Sequence, residues 1–378
     1  MLSKDLKLVF TCNLVGSFGD GLYAYLLPVY MSNTLGADSV QIGILYAVLS
    51  LFAALTLLIS GTLADRYDRK KIMIAGWLAW LPVPLIFSSA SNWIGMVPGM
   101  IMWGFWLGGP AGTAYIVTAA DPSMLTLTFT TMSAAWSIGY IFSPALGGFL
   151  AGSIGMKPVF YTAFILYSLA CLTLSFIKSQ RAKNIQTRTE NDYSFKELLK
   201  TRKLLIMTIF FAALMFVLTM FRPFIPKFVA DVYRFGDFEV GVLGSVSFAS
   251  SAVLSLLLGR LGDRSGKSYA LALSAILSSV STVLLLLSGS FAILAVSFVL
   301  IGGSYLTWSL MSAIAGPMAP ESCRARWVAV PQTVSMFVSF IAPYLGGLLY
   351  AFSPQYPFMV AAAAMPVMAL LAVRLFRD

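Results

Sequence analysis

The chain has no histidine, and only three of its 378 residues are cysteine. Without histidine it lacks the commonest metal ligand and the usual proton relay at neutral pH. Cys12, Cys171 and Cys323 show neither a disulfide framework nor a metal-ligand spacing. No phosphate-cradling glycine loop of the ATPase kind is present, so energy is expected to come from a gradient. No close pair of carboxylates stands in the apolar stretches to supply acid–base chemistry. An enzyme is therefore not expected, nor is a metal or other cofactor. Charge is also scarce, at 11% of residues, against about 25% in soluble domains.

Apolar residues dominate at 59%. A helix of about 20 apolar residues crosses a ~30 Å hydrocarbon core. Twelve such runs can be drawn, at roughly 6–31, 40–62, 72–90, 94–118, 124–152, 157–177, 204–229, 239–259, 268–287, 290–314, 325–351 and 356–375. The first is too long for a cleaved signal peptide and contains Asp20. The fold class expected is an all-α membrane protein of twelve transmembrane helices with no separate soluble domain.

The net charge of +10 would suggest nucleic acid in a soluble protein. Its distribution points instead to topology, since Lys and Arg accumulate in cytoplasmic loops. With the N-terminus inside, 21 of the 25 basic residues fall on the inner side, and only Lys157, Arg222, Lys227 and Arg234 lie toward the outside. Both termini are expected in the cytoplasm. The loop Ala119–Ser123 is the exception, carrying Asp121 and no base. The short loops contain no Asn-X-Ser/Thr sequon, which fits a prokaryotic plasma membrane.

The chain repeats. At an offset of 198, Pro28, Gly43, Gly61, Asp65, Arg66 and Gly104 match Pro226, Gly241, Gly259, Asp263, Arg264 and Gly302. At 199, Ser143–Gly148 matches Ala342–Gly347. This organisation predicts two parallel six-helix bundles, 1–178 and 204–378. The linker between them, 179–203, holds a short interfacial helix with capping-box spacing at Ser194–Glu197.

In the first half, "GTLADRYDRKK" (Gly61–Lys71) packs six charges into eleven residues between two apolar runs. Its worn copy, "GRLGDRSGK" (Gly259–Lys267), occupies the matching place in the second half. Together with twelve runs and the parallel repeat, the motif resembles the signature of the major facilitator superfamily, and the resemblance covers the whole chain. Gly61, Leu63, Ala64, Asp65, Arg66, Arg69 and Lys70 match the pattern, while Asp68 replaces its second glycine. That departure either weakens the motif's contacts or pairs with Arg69 or Lys71.

The resemblance implies a monomeric secondary transporter working by alternating access, with a small-molecule substrate, the lipid bilayer and protons or another coupling ion as partners. It gives Gly61, Asp65, Arg66, Arg69, Gly259, Asp263 and Arg264 a gating role. Asp65 would meet the helix start near Arg324 and Arg326, and Asp263 the one near Asp121–Ser123. The two glycines would let helix ends approach closely. Gly139, Ser143, Pro144, Gly147 and Gly148 resemble the family's antiporter motif, with Ser143 in place of a glycine, and Pro343, Gly346 and Gly347 repeat the pattern. The family's proton-coupled drug exporters carry an arginine on the fourth helix; Met100 stands there, which argues against proton antiport.

Asp20 lies near the middle of the first run, where a carboxylate is a functional candidate by default. Asp20 and Arg222, on repeat-related helices, are candidates for proton or cation coupling and for pairing with each other. Asn13, Trp106, Trp136, Trp308 and Gln332 are candidate substrate-cavity residues, since broad aromatic sites suit flat, apolar or cationic ligands. The expected function is proton-coupled export of small amphipathic compounds. Alternatives are a metabolite or sugar uniporter or symporter, and a lipid exporter.

Overall fold

The computed structural model describes residues 2–121, 124–181, 201–315 and 324–376; for Leu58, Asp65, Thr126 and residues 324–329 it describes the backbone alone. Among the described residues all regular structure is helical. Ten helical stretches there are long and apolar enough to cross a membrane. The other two expected runs, 6–31 and 94–118, are helical in pieces. The first is α1 (Lys4–Ala24) followed by α2 (Leu27–Asn33). Pro28, which has no N–H to give, sits in the first turn of α2.

After α3 (Ser39–Arg66), α4 (Arg69–Trp80) and α5 (Val83–Ser89), the second broken run comprises a 3-10 turn (Ile94–Met96), α6 (Val97–Trp103) and α7 (Gly108–Ala119). Side chains satisfy the backbone released at this break, as a waterless interior requires. The Trp80 indole donates to Phe105 O at 3.0 Å, Trp106 N–H donates to Thr56 Oγ1 at 3.1 Å, and the Thr56 hydroxyl donates to Gly104 O at 3.1 Å. Then come α8 (Leu125–Ile154), α9 (Met156–Ser175), α10 (Arg202–Phe221), α11 (Phe224–Tyr233), α12 (Asp237–Ser265), α13 (Lys267–Leu287), α14 (Phe291–Ile301), a 3-10 turn (Gly302–Leu306), α15 (Thr307–Ala315), α16 (Arg324–Ser339), α17 (Ala342–Phe352) and α18 (Tyr356–Phe376).

The helices are apolar on both faces. On α9, Phe160, Ala163, Tyr167, Ala170 and Leu174 are buried, while Tyr161, Ile165, Leu169 and Leu172 on the opposite side are exposed. A soluble helix would carry polar residues there. Such faces suit contact with lipid.

The chain falls into two compact units. One comprises Met1–Ala37, Val48–Gln186 and Arg234–Ser245; the other comprises Asp38–Ala47, Thr187–Tyr233 and Val246–Asp378. Relative to the repeat halves, two helix starts are exchanged, and glycines explain why. Within the first unit, a Cβ on Gly241 would meet Pro144 O at 2.2 Å. Within the second, a Cβ on Gly43 would meet Pro343 O at 2.4 Å.

The small residues of α8 form a ladder against α1, one contact per turn. A Cβ on Gly139 would meet Ser17 Oγ at 2.0 Å, one on Gly21 would meet Ser143 Oγ at 1.9 Å, and one on Gly147 would meet Leu22 O at 1.8 Å. In the second unit Gly346 stands in the same relation to Met220 O, at 1.9 Å. Gly61 and Gly259 behave differently from expectation: a Cβ on either would meet nothing within 4 Å among the described atoms. Neither glycine makes a close approach to a described residue.

Because backbone cannot move aside as a flexible side chain can, Gly147→Val is expected to destabilise the protein by about 1–3 kcal/mol through overpacking. Gly61→Ala should raise the melting temperature in detergent slightly, since an open site inside a helix favours Ala over Gly by about 0.8–1 kcal/mol. Thermal unfolding of the two purified variants checks both outcomes.

Candidate functional site

Asp20 is 4% exposed and takes hydrogen bonds from four side chains on four helices. Its Oδ1 accepts from the Tyr167 hydroxyl at 2.5 Å, the Trp103 indole N–H at 3.0 Å and the Tyr23 hydroxyl at 3.2 Å. Its Oδ2 accepts from the Tyr140 hydroxyl. The Tyr23 and Tyr167 hydroxyls are themselves 2.9 Å apart. A carboxylate offers about four lone-pair sites, and here neutral donors approach both of its oxygens. Tyrosine hydroxyls both donate and accept. The cluster can therefore stay hydrogen-bonded whether or not Asp20 carries a proton.

Beside this cluster the first unit contains a cavity of about 600 Å³. Its walls include Trp77, Trp80, Trp106 and Trp136, and its polar groups include Asn13, Thr113 and Ser133. Trp106 is 45% exposed, consistent with an open wall. Gly16 makes room for Trp77: a Cβ there would overlap the indole at 1.9 Å. Two aromatic contacts connect the cavity wall to Asp20. Trp136 stacks on Tyr140, with centroids 6.2 Å apart and planes 20° from parallel. Trp77 meets Tyr167 edge-on at 5.6 Å. A ligand in the cavity lies one aromatic layer from the carboxylate.

At the α3–α4 turn, Asp68 forms no ion pair with Arg69 or Lys71 among the described residues. It caps α4, accepting from Lys70 N–H at 3.0 Å, and also takes the Ser179 hydroxyl and Gln180 N–H. At the repeat-equivalent place, Gly266 starts α13 with φ +110°. One half begins its helix with a capping carboxylate, the other with a glycine's positive φ. Arg69 completes the anchor: its Nη1 donates to Thr118 Oγ1 at 2.6 Å, Gln180 Oε1 at 2.8 Å and Ala114 O at 3.0 Å. Gln180, at the beginning of the linker, is thus tied to the motif turn. Burial of Asp68 opposes its charge, but the bonds from Ser179 and from the N–H groups of Gln180, Lys70 and Lys71 hold its pKa below the usual value.

Comparison with known proteins settles the family. The Major Facilitator Superfamily model matches residues 9–237 and 214–378. The chain belongs to that superfamily. This is a family of membrane transporters of small molecules, not a class of enzymes. Among curated proteins the chain is 25% identical to Multidrug resistance protein 2 of Bacillus subtilis, across 96% of this chain and 93% of that one. It is 29% identical to Multidrug resistance protein MdtG of Serratia proteamaculans, across 70% and 66%. Among solved structures, nucleoside transporter NupG aligns over the full length of both chains with a TM-score of 0.82 at 16% identity. A bacterial homologue of the iron transporter ferroportin does so with 0.74 at 14%. At such identities these two show a shared fold alone.

In this superfamily member the sequence-selected residues divide between the units. Asn13, Trp106 and Trp136 line the cavity of the first. Trp308 and Gln332 belong to the second, where the Gln332 amide donates to Ser312 Oγ at 2.9 Å. Asp20 and Arg222 belong to different units, and each has partners within its own. Asp20 has its four neutral donors, and Arg222 has Ser304 Oγ at 2.6 Å and the Tyr305 ring at 4.7 Å. Asp263 and Arg264 are exposed and form no ion pair among the described residues. The Asp65, Arg324 and Arg326 side chains and residues 122–123 lie outside what is described, as do Cys323 and the linker helix at 194–197. Sequence reasoning missed Tyr140 and Tyr167 as Asp20 donors and Trp77 and Trp80 as cavity walls. Tyr23, one helical turn from Asp20, was within its reach.

A depressed carboxylate pKa stabilises the fold above the ordinary carboxylate value, about 3.9, and that contribution is lost as pH falls through the lower folded value. Asp68→Ala is expected to cost about 1 kcal/mol at pH 7 through loss of the cap. The wild-type-minus-variant difference should hold from pH 8 to pH 5 and shrink below about 4. Trypsin should also cut the variant faster at Lys178 and Arg181. Thermal melts across pH and timed digestion check these outcomes.

Proposed function

We propose that this chain is a proton-coupled exporter of small, flat amphipathic compounds in the plasma membrane. It works by alternating access between the repeat halves 1–178 and 204–378, in a twelve-helix arrangement with both termini in the cytoplasm. The observation that carries this reading is the aromatic cavity lying one ring from a buried, four-fold hydrogen-bonded carboxylate. A volume near 600 Å³ falls within the size range of small-molecule pockets. Its tryptophan walls suit a flat apolar body. Asn13, Thr113 and Ser133 are few polar groups for a sugar, whose hydroxyls would each need a partner.

Asp20 is the proposed proton carrier. A carboxylate this deep costs roughly 2.5–3.5 kcal/mol on insertion scales and marks ion pathways in membrane proteins. Its Tyr140 and Tyr167 donors also touch cavity tryptophans. A ligand that shifts Trp136 or Trp77 would disturb those donors, and with them the balance between charged and neutral Asp20. Ligand and proton would then be linked through two ring contacts, one stacked and one edge-on. The names of the multidrug resistance relatives support export of such compounds. A monomer is sufficient, since cavity and carboxylate belong to one unit.

Transport by the purified protein in liposomes tests this. Wild type should move a fluorescent amphipathic dye down an imposed proton gradient and stop when an uncoupler is added. Asp20→Asn should lower gradient-driven transport at least ten-fold. Tyr140→Phe should lower it about ten- to hundred-fold, the loss of one hydrogen bond to a charged group being about 1.5–3 kcal/mol. Trp136→Ala should raise KM more than it lowers kcat. Gradient-driven transport that survives Asp20→Asn would remove the coupling role.

A further inference from the structure

Arg222 stands between α10 and α11, immediately before Pro223, where the seventh expected run is broken. Its Nη2 donates to Ser304 Oγ at 2.6 Å, and Ser304 lies in the 3-10 turn that breaks the tenth run. The guanidinium thus joins two helix interruptions of one unit. Ser304 is 1% exposed, and its own hydroxyl donates to Ile301 O at 2.7 Å, leaving its oxygen to accept from Arg222. The Tyr305 ring supports the guanidinium, with its centroid 4.7 Å from Cζ, and packs in turn on Phe248 at 5.3 Å. The serine and the ring hold the cation in place.

Among the described residues the site holds no negative charge, and no carboxylate there pairs with Arg222. Its Nε is buried and has no hydrogen-bond partner there. Asp231, on α11, is already taken by Lys227 at 2.9 Å and by the Tyr350 hydroxyl at 3.0 Å. An unneutralised arginine inside a membrane protein is costly. Its fork-shaped donors match a carboxylate, sulfonate or phosphonate better than they match water. Interrupted helices are where transporters place substrate groups. The site is also reachable, since Arg222 is only partly covered and Tyr305 is 36% exposed. That open ring offers an apolar platform beside the cation.

We propose that Arg222, held by Ser304 and Tyr305, binds the anionic group of amphipathic organic anions that this transporter carries. This rests on the transport reading above and adds a substrate class to it. Arg222 is then a specificity residue rather than part of the proton path.

The test uses two probes with one aromatic body: anilinonaphthalene sulfonate and the neutral phenylnaphthylamine. Initial transport rates are measured with the full-length protein in liposomes, with protein-free liposomes as background. Wild type should carry both. Arg222→Gln should raise KM for the sulfonate at least ten-fold and leave KM for the neutral amine within two-fold. Arg222→Lys should fall between. In wild type, excess benzenesulfonate should compete with the sulfonate probe, while benzenesulfonamide should not; this arm stands if a variant fails to fold. Equal KM shifts for both probes would make Arg222 a structural brace and overturn the proposal. Wild-type transport of the amine without the sulfonate would overturn it too, leaving the exporter reading intact. Transport of neither probe would count against both readings.

Discussion

A carboxylate placed where water is excluded must be hydrogen-bonded by the protein, and Asp20 receives those bonds from four helices at once. Much of the first unit's packing follows from bringing these donors together. Tyr140 reaches Asp20 only because α8 lies against α1 at backbone contact, through Gly139, Ser143 and Gly147. Trp103 reaches it from the end of α6, just before the chain breaks at Gly104. Tyr167 is fully buried on the inner face of α9, with Trp77 pressed against it. A larger residue at Gly16 would expel that tryptophan, and with it one wall of the cavity.

The same rule governs the helix breaks. Inside a bilayer, exposed backbone is tolerated only where something else satisfies it. At the α6–α7 break Thr56 and Trp80 supply the bonds. At the 3-10 turn of the second unit, the Ser274 hydroxyl donates to Gly303 O at 2.9 Å. The two units use the repeat differently. The first places an acid beside its break in the fourth run, the second a base beside its break in the tenth. The signature loops diverge in the same way, with Asp68 capping one helix and Gly266 opening the other. Repeats of one ancestral pattern thus meet equal backbone demands with different chemistry.

The polar groups also differ in what they bond. Asp68 and Arg69 direct their bonds to the backbone and to the linker start, which anchors a connection. Asp20 directs its bonds to hydroxyls and an indole that can rearrange around a proton. Ser274, Ser278, Ser279 and Ser281 on α13 bond carbonyls of their own and neighbouring helices, the short-range polar contacts that hold membrane helices together.

The sequence by itself determined the helical membrane class, the superfamily, the repeat, and the standing of Asp20 and Arg222 as charges within long apolar runs. These are properties of composition and periodicity: twenty apolar residues span a bilayer wherever they fold, and a lone carboxylate in such a run is visible as a letter. Asn13, Trp106 and Trp136 were legible as candidates for the same reason, as polar or aromatic letters well inside apolar runs. What only the tertiary structure decided were the partners. Tyr140 and Tyr167 lie 120 and 147 residues from Asp20 along the chain, so helix packing alone brings them together. The capping role of Asp68, the donors around Asp20 and the partners of Arg222 were equally out of reach. Each depends on which face of one helix meets which face of another, and hydropathy, being apolar on both faces of a membrane helix, does not encode that choice.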